Sequence, residues 1–211
     1  SILLALSVFK FMSVKINYYS KLAKKNSENL VLFIDETLNI SGLKKYISIK
    51  EYLYISDLIS KSDKTKKIII FDINSKKKVI LISVKKKITS SGAENLGANF
   101  YDHFKNAKIE NFKINTDSFS NKTQNFIGYF LHGMKLKSYI FQKYKSKKEK
   151  KIININVIGK NQPSINDQIK FKAIEEGTFL ARNLVSEPGN ILHPDEYAKR
   201  LNSLKKDGLK V

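Results

Sequence analysis

Hydrophobic positions along this chain follow two rhythms. Short runs rich in Ile and Val, bounded by polar turn residues, fall at 14–18, 30–34, 67–73, 79–84, 108–114 and 151–158 and read as β-strands. Asn74-Ser75-Lys76-Lys77 leaves only a tight turn between the third and fourth runs, which predicts a hairpin and hence a mixed sheet. Elsewhere the apolar spacing stretches to that of a helix. Ser91-Gly92-Ala93-Glu94 has capping-box form and is expected to open a helix running to about Lys105. A longer helix is expected over 122–141, with Ile127, Leu131 and Met134 on one stripe and Phe126 and Phe130 beside it. After Pro163, Ser164-Ile165-Asn166-Asp167 is a further capping box. The helix it opens is expected to carry Ile165, Ile169, Ala173, Leu180 and Leu184 up to the turn at Pro188. The class is α/β, with a mixed sheet flanked by helices.

The end of that last helix is sharply punctuated. Glu187 precedes Pro188, whose ring disfavours helix at the residue before it, so the helix should close near Ser186. Pro188-Gly189-Asn190 is turn chemistry. Pro194 suits a first helical position, and Asp195 and Glu196 then lie at the positive end of the helix dipole. Asp207-Gly208 is expected to end this second helix, and the following residues to enter a strand.

Composition narrows the reading further. A hydrophobic share of 42%, with 13 Phe and 10 Tyr in 211 residues, is enough to bury a core and argues against wholesale disorder. The absence of cysteine removes disulfides and thiolate metal sites. The formal charge of +20 invites a nucleic-acid reading, yet only Arg182 and Arg200 are arginines, leaving 39 − 2 = 37 lysines. Base-edge recognition and bidentate phosphate clamps favour the planar Arg fork. The lysines are spread over 64–67, 76–78, 85–87 and 143–151, and Ile and Asn are also in excess. This points to compositional bias and a solvated basic surface, with non-specific, salt-sensitive DNA binding as its only nucleic-acid consequence. Ser1 to Phe11 is apolar but lacks a basic lead and a cleavage signature, and is too short to span a membrane. Met12 is expected to be the natural start, with 1–11 an upstream extension.

Few residues offer catalytic chemistry. Gly92 to Gly97 has the glycine spacing of a phosphate loop, but Ala98-Asn99 stands where Lys-Ser/Thr is required. His103, His132 and His193 are far apart and none belongs to a His-Glu-x-x-His motif; His132 is expected at the core edge or surface. Glu175-Glu176 and Asp195-Glu196 are adjacent acids. Helical neighbours point about 100° apart, so neither pair makes a two-metal clamp, and both are expected on solvated faces.

Two stretches carry a family likeness. Leu180 to Pro194 follows L-A-R-N-L-V-x-x-P-x-N-x-L-x-P, with Arg182, Asn183, Pro188, Asn190 and Pro194 at fixed offsets. This resembles the segment that opens the catalytic domain of the leucyl (cytosol) aminopeptidases. Gly128 to Lys148, with G-x-x-L-x-x-Y-x-F running into a Tyr-Lys-Ser-Lys-Lys tail, is similar to the end of that family's N-terminal domain. The helix after Ser91-Gly92-Ala93 looks like its mid-domain helix. Two departures stand out: Ile140 where a basic residue is usual, and Gly189 where Ala is common.

The resemblance implies a macro-domain-like N-terminal domain over 12–160, a linker helix over 161–187 and the truncated start of a second α/β domain over 188–211. It further implies a cytoplasmic metallo-exopeptidase that hydrolyses N-terminal residues from peptides, using two zinc or manganese ions and forming hexamers. The family's Gly-Lys-Gly, Phe-Asp-x-Gly-Gly and Asn-Thr-Asp-Ala-Glu-Gly-Arg motifs are not in this sequence, so no catalytic, metal or substrate-binding residue carries over; the signature residues are expected to be structural. This part of the protein is expected to serve assembly and substrate access. The alternative is a stand-alone basic α/β module binding nucleic acid or a nucleotide.

Overall fold

The computed structural model describes residues 13–20, 29–63, 65–118, 124–146 and 151–210. The expected upstream extension at 1–11, Met12, the expected helix start at Lys122 and the Lys147-Lys148 end of the basic tail lie outside them. All six predicted strands form, with ends shifted by no more than a few residues: β1 (Val14–Tyr19), β2 (Asn29–Asp35), β3 (Ile68–Asn74), β4 (Lys77–Val84), β5 (Asn111–Asn115) and β6 (Ile153–Ile158). They make one sheet in the order β1-β6-β5-β2-β4-β3. Only β3 runs antiparallel, as the predicted hairpin requires; Asn74 Oδ1 accepts the backbone N–H groups of Lys76 and Lys77 and so closes the turn.

The burial of each strand follows its alternation. In β2 and β4 both sets of side chains are apolar, and both are buried. Val31, Phe33, Ile80 and Ile82 face one side, while Leu30, Leu32, Val79 and Leu81 face the other. In β5 and β6 every second residue is polar, and Asn154 Nδ2 bonds Asn111 Oδ1 across the pair. The half of the sheet formed by β1, β6 and β5 therefore buries one face and shows a polar one.

Helix α1 (Ile49–Ser60) covers the second face of β2 and β4 with Ile55 and Ile59. It opens on a capping box between Ser48 and Glu51, and Lys77 Nζ ties Glu51 down at 2.5 Å. Helices α2 (Ser90–Phe104) and α3 (Phe126–Lys137) cover the first face. The cap of α2 is Thr89, not Ser91: the Thr89 hydroxyl accepts the Gly92 N–H at 3.0 Å, which moves the helix start two residues earlier and leaves Ser91 inside it. Ile127, Leu131, Met134, Phe126 and Phe130 are buried as expected. Phe130 meets Phe33 and Phe100 at ring distances of 5.5 and 5.8 Å.

The two helices touch through backbone. A Cβ at Gly97 would sit 1.8 Å from the Phe130 carbonyl oxygen, and one at Gly133 would sit 1.9 Å from that of Glu94. Only glycine at both positions permits this approach.

Helix α4 (Ile165–Ser186) is capped by Ser164, closes at Ser186, and lies along α3. Its buried stripe does not fall on the residues that mark its aliphatic spacing. Phe171, Glu175 and Phe179 are buried, whereas Ile165 and Ile169 are 75% and 61% exposed. The stripe follows what α3 offers: Tyr129 and His132 meet the Phe171 ring at 5.2 and 5.1 Å, and Tyr139, just past α3, meets Phe179 at 5.4 Å. Helix α5 (Pro194–Ser203) starts on Pro194, continues as a 3-10 turn over Leu204–Asp207, and ends at Gly208 with φ +83°. Leu209 and Lys210 form no strand. No helix of the described residues is long and apolar enough to cross a membrane.

Candidate functional site

Two polar constellations lie where α4 meets the sheet domain. The first joins the two signature stretches. Arg182 lies across the Tyr139 ring, 5.5 Å from its centroid, and donates from Nη1 to the Leu136 carbonyl at 2.5 Å. That carbonyl is in the last turn of α3, where helix oxygens lack intrahelical partners. Tyr139 donates its hydroxyl to Asn183 Oδ1 at 2.9 Å. One turn later Glu187 receives three donors: Lys143 Nζ at 2.5 Å, Arg200 Nη1 at 2.9 Å, and the Tyr144 hydroxyl. Burial works to raise the Glu187 carboxyl, but the hydrogen bonds from Lys143, Tyr144 and Arg200 outweigh it and hold it at about 2.

Arg182 and Asn183 are thus docking residues, gripping the end of α3 and the residue just beyond it. Pro188, Asn190 and Pro194 serve differently. The Pro188 carbonyl accepts the N–H groups of Ile191 and Leu192, both at 2.9 Å, and Pro194 starts α5; all three side chains are exposed. The five signature residues therefore do not converge on one chemical site.

The second constellation is a cleft of about 200 Å³ between α3, α4 and β1. Helix α3 lines it with Gly128, Leu131, His132 and Lys135, and α4 with Gln168, Phe171, Lys172 and Glu175. Both stripes repeat the spacing i, i+3, i+4, i+7, so each is one face of its helix. Ile16 and Tyr18 complete the lining from β1.

Here one sequence expectation is narrowed, His132 lying at the core edge and not the surface, and one is corrected. His132 is buried, 5% exposed, with Nδ1 2.9 Å from Glu94 Oε1 and Nε2 without a partner among the described residues. Glu175 is also buried, at 7%, not on a solvated face. Desolvation pushes its carboxyl up to about 7, against the pull of Lys135; the same burial, helped by the Glu175 charge, pushes the Tyr18 hydroxyl up to about 12. Desolvation also lowers the Lys135 ammonium.

Sequence reading missed Glu175 and Glu187 as structural centres. The available signal for Glu187 was its place beside the signature proline, within reach of a basic tail. His103 and His193 are exposed and apart from both constellations. Glu176 and Asp195 line neither, while Glu196 accepts from Arg200 Nε at 3.0 Å at the edge of the Glu187 cluster. Among the described residues no three His, Cys, Asp or Glu side chains come close enough to hold a metal ion. The donor set present does not fit the two-metal centre that the family resemblance implies, and no step is derived through one.

Comparison with known proteins sets these motifs in context. No family profile matches the chain. A protein described as a probable cytosol aminopeptidase from Methylorubrum extorquens is 37% identical over 87 residues, covering 39% of this chain and 17% of its own length. A second so described, from Ehrlichia ruminantium, is 36% identical over 126 residues, covering 55% of this chain and 24% of its own. Over the matched part of its length the chain is similar to the cytosol aminopeptidases. A tomato leucine aminopeptidase mutant has the same fold, with a TM-score of 0.69 and 16% identity, over 94% of this chain and 43% of the tomato protein. The maturation enzyme BotP, in complex with Mn, follows at a TM-score of 0.59 and 13% identity, over 86% of this chain and 36% of its own. The chain thus spans less than half the length of each of these proteins.

Proposed function

We propose that this chain is the N-terminal part of a leucyl aminopeptidase: a sheet domain over 12–160, a linker helix over 161–187, and at 188–211 the opening of the domain that performs the chemistry. The observation that carries this reading is the clasp between the two signature stretches. Arg182 and Asn183 meet Leu136 and Tyr139, so residues singled out independently in sequence form one contact. Such a clasp fixes the direction in which the linker helix leaves the sheet domain. It thereby sets where a following domain stands, which is a positioning role and not a chemical one.

The whole protein would remove N-terminal residues from peptides in the cytoplasm, with the two divalent ions that the family resemblance implies held by residues outside this chain. The manganese complex of BotP supports a divalent metal of that kind. A hexameric assembly, with this part contributing to contacts and substrate access, completes the reading. The alternative, a basic nucleic-acid or nucleotide module, lacks comparable support. Of the three lysines at the β3–β4 turn, Lys77 and Lys78 are already paired with Glu51 and Asp72.

A leucyl-amide hydrolysis assay with added zinc or manganese tests the proposal. The product of the extended reading frame is expected to turn over substrate and the 211-residue chain to show none. Metal-dependent turnover by the 211-residue chain would falsify the placement of the chemistry outside it.

A further inference from the structure

The cleft between α3, α4 and β1 has no part in the clasp, and its chemistry points to a ligand of one class. Two acceptors face it unsatisfied. His132 Nδ1 donates to the Glu94 carboxylate, so in the neutral ring Nε2 is the acceptor nitrogen, buried and without a partner among the described residues. Glu175 lies on the opposite wall, one helical turn beyond Phe171, and receives no hydrogen bond from any described residue. A buried lone pair and a desolvated carboxylate both require N–H donors, and a primary ammonium carries three.

The rest of the lining sets the shape of that ammonium's owner. Lys172, on the same helix as Glu175, extends into solvent at the mouth with 73% of its side chain exposed and holds Glu176 only at 3.8 Å. Leu131, Phe171 and Ile16 give an apolar wall. The cleft's 200 Å³ is more than ten times the roughly 15 Å³ that one water requires, so a single ordered water does not fill it. A divalent cation is disfavoured, because among the described residues the lining offers only two candidate ligand groups, fewer than such an ion takes. A simple anion is disfavoured by Glu175.

We propose that this cleft binds a free α-amino acid: its ammonium donates to Glu175 and His132 Nε2, its carboxylate faces Lys172, and its apolar side chain lies against Leu131 and Phe171. This inference does not rest on the proposed activity.

The test is an NMR titration of the 211-residue protein, following the His132 ring nitrogens as L-leucine is added. The expected result is a saturable shift at Nε2. Isopentylamine, which lacks the carboxylate, and isocaproate, which lacks the ammonium, should each bind about tenfold or more weakly, the loss of one charge-assisted contact. Glu175→Gln should weaken leucine binding by about tenfold while leaving thermal stability equal or higher, since it removes a buried charge. His132→Gln, with its fold checked by circular dichroism, should weaken it similarly. Four results would each overturn the proposal: no saturable shift with leucine, equal binding of leucine and isopentylamine, undiminished binding by Glu175→Gln, or a shift at Nε2 produced by zinc ions and not by leucine.

Discussion

The sheet domain and the two C-terminal helices are held by different physics. Around β2 and β4, side chains interdigitate on both faces, and the aromatic set of Phe33, Phe100, Phe126 and Phe130 lies in edge-to-face and stacked contacts. Helix α4 buries three side chains in 22 residues and α5 buries none. What fixes them is polar: the Arg182–Leu136 and Tyr139–Asn183 bonds and the three donors on Glu187. The difference teaches that the sheet domain's stability scales with buried apolar area, whereas the pose of the helices depends on a few groups whose charge can change.

The largest expected effect separates the two regimes directly. Phe130→Ala should cost about 3–5 kcal/mol and shift the whole urea transition, because the void is central. Phe179→Ala, at the clasp, should cost less than half of that. It should show first as faster amide exchange along α4. Equal costs, or a global shift from both, would break the comparison.

Next comes pH. The Glu175 carboxyl is raised from 4.5 to about 7, so the folded state favours its protonated form. The penalty is therefore absent below about pH 4.5, grows as pH rises and is complete above about 7. It should reach about 1–3 kcal/mol, on the scale of 1.4 kcal/mol per pH unit. Melting curves at pH 5 and 8 should show the native chain losing stability across this window and Glu175→Gln losing less. The same pH dependence in both would remove Glu175 from the account.

Glu187 runs the opposite way and is the smallest of the three. Its carboxyl is depressed to about 2, so its contribution is full above about pH 4.5 and fades as pH falls toward 2. Glu187→Gln should cost about 1 kcal/mol, within the range of partly exposed ion pairs. It should also speed proteolytic cleavage at the Pro188–Leu192 turn, read by mass spectrometry of limited digests. Unchanged cleavage would mean that α5 is held by something other than this hub.

The strands were legible because alternation and Ile/Val runs are local properties, and the hairpin because Asn74 announces its own turn. The α4 stripe was not. Ile165 and Ile169 have helical spacing, yet burial falls on Phe171 and Phe179, since their partners Tyr129 and Tyr139 sit some 40 residues upstream. Glu175 misled for the same reason: an acid beside another acid looks solvated until α3 and β1 are laid over it. The signature residues could be recognised by type and offset, but nothing near Arg182 in sequence says that it reaches the Leu136 carbonyl. Motifs report that a position matters before they report what it touches.

One consequence of the α2–α3 crossing extends to all of this. Most helix pairs are separated by side chains, which can change rotamer and take up a disturbance like a gasket. At Gly97 and Gly133 there is no gasket; backbone rests on backbone, and Glu94 and His132 bolt the joint at its rim. The pair therefore behaves as a fixed calliper, so anything that displaces His132 in the cleft must move α2 and α3 together against the sheet. The spacing cannot be retuned by enlarging either glycine, because the first methyl group already has no place to go.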